Sequence, residues 1–354
     1  MKTWFFLLTN SLPAAAQSVE SPALPPVGVP FYNTGYPEAS ACQLTAGGLL
    51  VGDNEIPSLA LFRTGELSSS ATRSTLRSAA SPIYPVEDME GMTVIRTNPG
   101  PDGKPSIWHV IIGSHSRSKG KGKVMPARQV LMALQVDGKS FTPAAAVKVN
   151  RSLADQIRVL ALANERTPWG PILRESIRAK AAAPDAPDIQ LTGAAGLNIE
   201  GLTITKSGTG LMLGLRSPLV ERKAVLIPVL NAAAALDLHS PAPQPAQLGE
   251  PVLLDLGGRG IRSMEWDASL DRYWIAAGVA GEGTESFTLY LWTGDPAQPP
   301  QQITTPSAGA CAGLEPEGLA PVGDGRSAII VGDGSAGSPW HAGMVVEAAP
   351  PAAK

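Results

Sequence analysis

The sequence predicts an all-β fold: a single β-propeller with five recognisable blades, room for a sixth, and a short helical insertion. Three observations predict it. A short apolar strand opening on an acidic residue and glycine recurs, as EDMEGM, LNIEGL and LEPEGL. Each such strand is followed by further apolar strands ending in glycine or polar residues. The composition suits many turns, with 37 Gly and 33 Pro among 354 residues and only 17% charged.

The units follow in order. The first is SACQL (40–44), GLLVGDNE (48–55) and SLALFRT (58–64). The second is EGMTV (90–94), IWHVIIGSHSR (107–117) and RQVLMALQV (128–136). The third is EGLTI (200–204), GLMLGLRSP (210–218), KAVLIPVL (223–230) and PVLLDL (251–256). The fourth is RSMEW (262–266), YWIAAG (273–278), TLYLWTG (288–294) and QQITT (301–305). The last is EGLAPV (317–322), SAIIVGDG (327–334) and AGMVVEA (342–348). A lone sheet of this kind exposes two apolar faces. Radial stacking buries those faces and shields the edges. The last unit lacks an outer strand, and VPFYNT (29–34) is placed to supply it and close the ring.

Residues 151–183 break the rhythm with helix-forming composition, and Leu153, Ile157, Leu160 and Leu162 fall mostly on one side. Pro168 and Pro171 divide this run into two short helices. The interval from Glu90 to Glu200 also has room for a degenerate sixth blade. The propeller thus occupies residues 38–348, after an N-terminal segment 17–37 and before a frayed tail 349–354.

MKTWFFLLTNSLPAAAQ has the layout of a short export signal over residues 1–16, which places the protein in the periplasm or outside the cell. In that compartment Cys42 and Cys311 are free to form a disulfide tying the first repeat to the last; the alternative is two buried thiols that never meet. No apolar run approaches the roughly 20 residues of a membrane span. A net charge of −3 gives no basis for nucleic-acid binding. A monomer is expected.

The first strand of each blade lines the central channel, so Glu90, Glu200 and Glu317 should converge on one opening, with Ser40 and Arg262 in the matching places. Converging carboxylates repel, and burial raises the cost of ionising them. Arg262 could pair with one of them. A Ca²⁺ ion would satisfy several, since it takes 6–8 oxygens in tolerant geometry. Asp333 completes that metal set, and Asp53, Glu55 and Arg262 stand on the ligand-facing side. Equally, each glutamate could simply accept backbone N–H bonds at a blade junction.

The motifs ASACQL with VGDNE, EDMEGM with GSHSR, and LNIEGL with GLRSP resemble a bacterial propeller family, domain of unknown function 3616, over most of residues 38–335. The arrangement is more distantly similar to phytase-like esterase propellers and to the regucalcin/gluconolactonase group. That resemblance implies acidic residues holding a divalent metal at the propeller mouth. Neither phosphatase nor lactonase activity follows from it.

GSHSRSKGKGK (113–123) is the most ligand-like loop. Arg117 and Arg216 could clamp an anion bidentately, and His115 beside them could transfer a proton. The bland alternatives are a solvated hairpin and arginines paired with the glutamates. GDGSAG (332–337) precedes no helix, so it is not a dinucleotide site, and no G-x-S-x-G elbow is present. The four histidines lack zinc-ligand spacing. Two readings remain: a Ca²⁺-dependent hydrolase of a small anionic ester or lactone, and a non-catalytic propeller that binds a ligand or partner protein at its mouth.

Overall fold

A computed structural model describes residues 27–28, 31–34, 38–45, 47–54, 58–62, 72–75, 86–99, 105–118, 122–136, 143–178, 196–238, 244–281, 287–303, 315–333 and 340–348. They form five four-stranded antiparallel sheets. Blade 1 is β2 (Ala39–Thr45), β3 (Gly48–Asp53), β4 (Ser58–Phe62) and β5 (Thr72–Thr75). Blade 2 is β6 (Met89–Pro99), β7 (Pro105–Gly113), β8 (Leu131–Val136) and β9 (Pro143–Asn150). Blade 3 is β10 (Asn198–Ile204), β11 (Leu211–Ser217), β12 (Ala224–Val229) and β13 (Val252–Leu254). Blade 4 is β14 (Gly260–Asp267), β15 (Arg272–Gly278), β16 (Thr288–Trp292) and β17 (Gln301–Ile303). Blade 5 is β18 (Glu315–Pro321), β19 (Ser327–Asp333), β20 (Trp340–Glu347) and, from the other end of the chain, β1 (Phe31–Thr34).

β1 runs antiparallel to β20, with Phe31 opposite Gly343 and Thr34 opposite Trp340. The N-terminal strand therefore completes the last blade, as its position in the sequence suggested. The inner strands touch in the cycle β2, β6, β10, β14, β18 and back to β2. No sixth blade occurs among the described residues. The rest of blade 2 and the helices α1 (Leu153–Ala163) and α2 (Gly170–Arg178) take up the described part of the long Glu90–Glu200 interval.

Five apolar clusters fill the five seams between neighbouring blades. Strand periodicity sorts residues between them, because successive side chains point to opposite faces of a sheet. In β3, Leu49 and Val51 pack toward blade 5 beside Ile329 and Val331. Leu50 packs the other way, toward Met89 and Ile111 of blade 2. Each buried Leu or Ile contributes about 1.5–3 kcal/mol, so the seams hold the ring shut.

The helices lie over the seam between blades 2 and 3. Leu153, Ile157, Ala161, Trp169 and Leu173 join Trp108 and Leu131 of blade 2 and Leu211 and Leu213 of blade 3. Leu162, expected on the apolar side, instead stands 50% exposed. It follows Ala161 by one position, which turns it about 100° around the helix. A third helix, α3 (Ala232–Ala235), is one turn long.

Sequence reading missed two outer strands, β5 and β9. TRST has no apolar side chain, and PAAAVKVN is mostly alanine. Both sit at sheet edges, where burial imposes the weakest pattern. Cys42 is buried as a free thiol. Burial pushes that thiol far above its ordinary range. Cys311, its expected bridging partner, lies outside the described residues, as do the proposed export signal and the C-terminal tail. Among the described residues no helix is long and apolar enough to cross a membrane.

Candidate functional site at the propeller hub

All five inner strands carry the same irregularity. The pairing register skips one residue between Ala39 and Ala41, Met89 and Gly91, Ile199 and Gly201, Ile261 and Ser263, and Pro316 and Gly318. The skipped residues are Ser40, Glu90, Glu200, Arg262 and Glu317. These are β-bulges, in which the extra residue leaves the ladder and its side chain is re-aimed. Each hub residue therefore lies inside its strand, rather than at the strand's first position as the sequence suggested.

The following glycines serve close approach. A Cβ on Gly91 would lie 2.8 Å from Leu202 Cβ of the next blade, and one on Gly201 would lie 2.7 Å from Ile261 Cγ2. Larger residues at these positions would hold the inner strands apart and widen the ring.

The hub charges pair across blades. The Arg262 Nε atom lies 3.1 Å from Glu200 Oε2, an ion pair rather than a linear hydrogen bond. An Nη group of Arg262 contacts a Glu317 carboxylate oxygen. Arg262 thus stands between the carboxylates of both neighbouring blades. Glu200 Oε1 also accepts from Arg216 Nη1 at 2.9 Å and from Asn198 Nδ2 at 2.8 Å. Arg216 spends its other donors on the carbonyls of Val279 and Gly281. The Ser40 hydroxyl donates to the Met89 carbonyl, joining blades 1 and 2.

Glu90 differs. It is 6% exposed, yet no hydrogen bond or ion pair reaches its carboxyl among the described residues. Burial, then Glu200 and Asp88, push its carboxyl well above the usual carboxylate range, while Arg262 and Arg216 pull the other way. Folded Glu90 therefore keeps its proton to higher pH than in the unfolded chain, where a glutamate releases it near about pH 4.3. Its contribution to stability is fully present below that pH and is lost as pH rises toward the folded value. Glu90→Gln should remove this slope. The variant is expected to melt above the parent at pH 8, with the difference shrinking toward pH 4. A variant that melts below the parent at pH 8 would contradict the assignment.

A second acid sits deeper. The Thr93 hydroxyl of blade 2 donates to Glu265 Oε1 of blade 4 at 3.0 Å, spanning the ring past blade 3. Desolvation pushes the Glu265 carboxyl well above its ordinary range, and bonds from Thr93, Trp266 and Thr203 offset part of that. Thr93, Thr203 and Glu265 each follow a hub residue by three positions and form a second layer along the channel. Sequence reading overlooked this layer, because a single Thr or Glu inside an apolar strand carries no motif.

The loop residues go elsewhere. His115 is 2% exposed, in the left-handed region with φ 58°, and its Nδ1 lies 2.9 Å from the Gly113 carbonyl. Burial pushes its pKa down to about 4, against a smaller opposing effect of that carbonyl. Arg117 Nε donates to the Ile177 carbonyl of α2 at 2.8 Å and Nη1 to the Gly122 carbonyl at 3.0 Å. Among the described residues Arg117 and Arg216 share no partner, and their contacts do not bring them together as one clamp. The serines of GSHS instead join a latch. Ser114 and Ser116 both donate to Asp88, which pairs with Arg128 Nη1 at 3.1 Å.

Asp53 is fully buried and accepts the Glu38 backbone N–H at 3.3 Å. Asp333 closes β19 opposite Glu315, with its side chain outside those described; Glu55 lies outside the described residues altogether. Ca²⁺ does not fit this arrangement as it stands. A guanidinium occupies the space between Glu200 and Glu317, and among the described residues no three acidic, His or Cys side chains form a cluster for a metal.

A family model covers part of this architecture. Residues 187–324 match DUF3616, a protein of unknown function. The DUF3616 stretch takes in blades 3 and 4 and the inner strand of blade 5, with Glu200, Arg216, Arg262 and Glu317. The resemblance read from the sequence is thus confirmed over that stretch. No curated protein matches the chain. Among solved structures, the β-propeller domain of Cps50 (Swd1) from Myceliophteria thermophila is 8% identical with a TM-score of 0.37, over 88% of this chain and 96% of that one. PhoX from Pseudomonas fluorescens, solved in complex with vanadate, is 8% identical at TM-score 0.36, over 82% of this chain and 57% of PhoX. PorZ of Porphyromonas gingivalis, a component of the type-IX secretion system, is 14% identical at TM-score 0.35, over 86% of this chain and 32% of PorZ.

Proposed function

We propose that this chain is an exported, non-catalytic binding propeller whose hub receives a ligand or a partner loop presenting a cationic or hydrogen-bond-donating group to Glu90. One observation carries the reading. Among the described residues the other hub charges already pair with one another, and Glu90 is the buried hub carboxyl left without a partner. A cation placed against it would favour its ionised form and release a proton.

The hydrolase reading asks His115, Arg117 and Arg216 to act at one point, with Glu90, Glu200, Glu317 and Asp333 holding Ca²⁺. His115 is buried against backbone, Arg117 is bound to α2, and Arg262 stands between two of the glutamates. These placements support the binding reading over the catalytic one. The test is turnover of p-nitrophenyl phosphate, bis-p-nitrophenyl phosphate and dihydrocoumarin by the full chain, with and without added Ca²⁺. No turnover above buffer is expected in either condition. Ca²⁺-dependent turnover that Glu200→Gln abolishes would replace this reading with the hydrolase.

A further inference from the structure

The helical insertion does more than cover a seam. Between it and the loop after β7 lies a groove of about 550 Å³. Five arginines line it: Arg117 from the loop, Arg151 just before α1, Arg158 from α1, and Arg174 and Arg178 from α2. Among the described residues Asp155 is the one acid lining it, and it is already paired with Arg158 at 3.1 Å. Arg174 pairs with Glu165 and Glu175, which lie outside the lining. The described partners of Arg117 are neutral carbonyls, and Arg151 Nη1 donates to the Pro126 carbonyl at 2.7 Å. In a chain of net charge −3, this concentrates positive charge in one concavity.

The groove also has an apolar wall. Val124 and Leu162 line it at 46% and 50% exposure. This explains why Leu162 departs from the buried side of α1 without being a packing defect. Guanidinium groups match phosphate oxygens bidentately, and a volume of this size lies within the range of small-molecule sites.

We infer that the groove between the β7 loop and the helical insertion binds a small phosphate-bearing ligand, its phosphate held by the arginines and a short apolar body set against Val124 and Leu162. The site is separate from the hub and stands whether or not the hub reading holds. A phosphate could be presented free in solution or on a lipid headgroup; the small volume and the single short apolar wall favour the soluble form.

Phenyl phosphate titrated calorimetrically into the full chain should give saturable one-site binding that weakens as ionic strength rises. Inorganic phosphate should bind more weakly and phenol not at all. Arg158→Gln/Arg178→Gln alters two exposed side chains and should leave the melt unchanged while weakening phenyl phosphate by at least about tenfold. Glu90→Gln should leave this affinity unchanged. Absence of saturable binding at millimolar phenyl phosphate, or equal affinity in the double variant, would overturn the site. Arginine-dependent retention on phosphatidylglycerol vesicles without phenyl phosphate binding would overturn the soluble assignment.

Discussion

Arg262→Met is expected to lower stability by about 3–5 kcal/mol, the usual consequence of removing one partner from a buried ion pair. For a domain of this size, that corresponds to a fall in Tm on the order of 10 °C. Arg262 is 3% exposed and serves carboxylates from two neighbouring blades, so its loss leaves Glu200 and Glu317 both short of a cation. Glu200 would retain Arg216, whereas Glu317 would keep no charged partner among those described. Glu317 should then behave as Glu90 does, with a raised pKa, and the variant should regain stability relative to the parent as pH falls. Arg262→Lys should be intermediate, because a single ammonium cannot replace a planar fork reaching two blades. Thermal melts at pH 5 and pH 8 read all three outcomes.

The second large effect is steric. A Cβ on Gly318 would lie 2.6 Å from Val331 Cγ2, 3.0 Å from Cys42 N and 3.1 Å from Ala41 C. Two of those neighbours are backbone atoms of blade 1, across the seam where the ring closes on itself. Gly318→Val must push blade 5 away from blade 1 and open the cluster that holds Leu49, Val51 and Ile329. Overpacking of this kind costs about 1–3 kcal/mol, and more when backbone must move. Gly281→Ala supplies the control. A Cβ there meets no described atom within 4 Å, so its effect should stay within about 0.5 kcal/mol. Urea unfolding of both variants checks the contrast, and a Gly318→Val variant as stable as its parent would show that the seam tolerates the added bulk.

Much of this architecture was legible in the sequence because burial leaves a periodic trace. The inner strands and those beside them alternate between two apolar seams, so their sequences could be aligned by pattern alone. The ring-closing strand was legible for a different reason: the last unit was one strand short, and a strand-like segment was spare at the N-terminus. The outer strands β5 and β9 left no such trace, since a sheet edge needs little apolar surface.

The hub was legible in composition but not in form. Recurrent Glu-Gly steps showed that carboxylates and close backbone contacts coincide, and the match of Arg262 to the same position followed from aligning the units. The bulge that holds each of these residues was hidden, because one unpaired residue changes the register without altering residue type. The second layer of Thr93, Thr203 and Glu265 was hidden because lone polar residues inside apolar strands form no motif. The loop GSHSR was legible as polar but not in its contacts: its serines bind Asp88, and Arg117 bonds a carbonyl of α2 while lining the groove beside it. The arginine groove joins residues as far apart as Arg117 and Arg178, and only the docking of the helices on blade 2 brings them together.

A double-mutant cycle between Arg262 and Glu317 tests the hub most directly. Stability would be measured by urea unfolding for the parent, Arg262→Met, Glu317→Gln and the combined variant. If a guanidinium links these blades through the bulged positions, the single changes are non-additive, with a coupling of about 2 kcal/mol or more, inside the range found for contacting residues. Additivity to within about 0.5 kcal/mol would mean that the two side chains do not meet, and the paired hub would be contradicted.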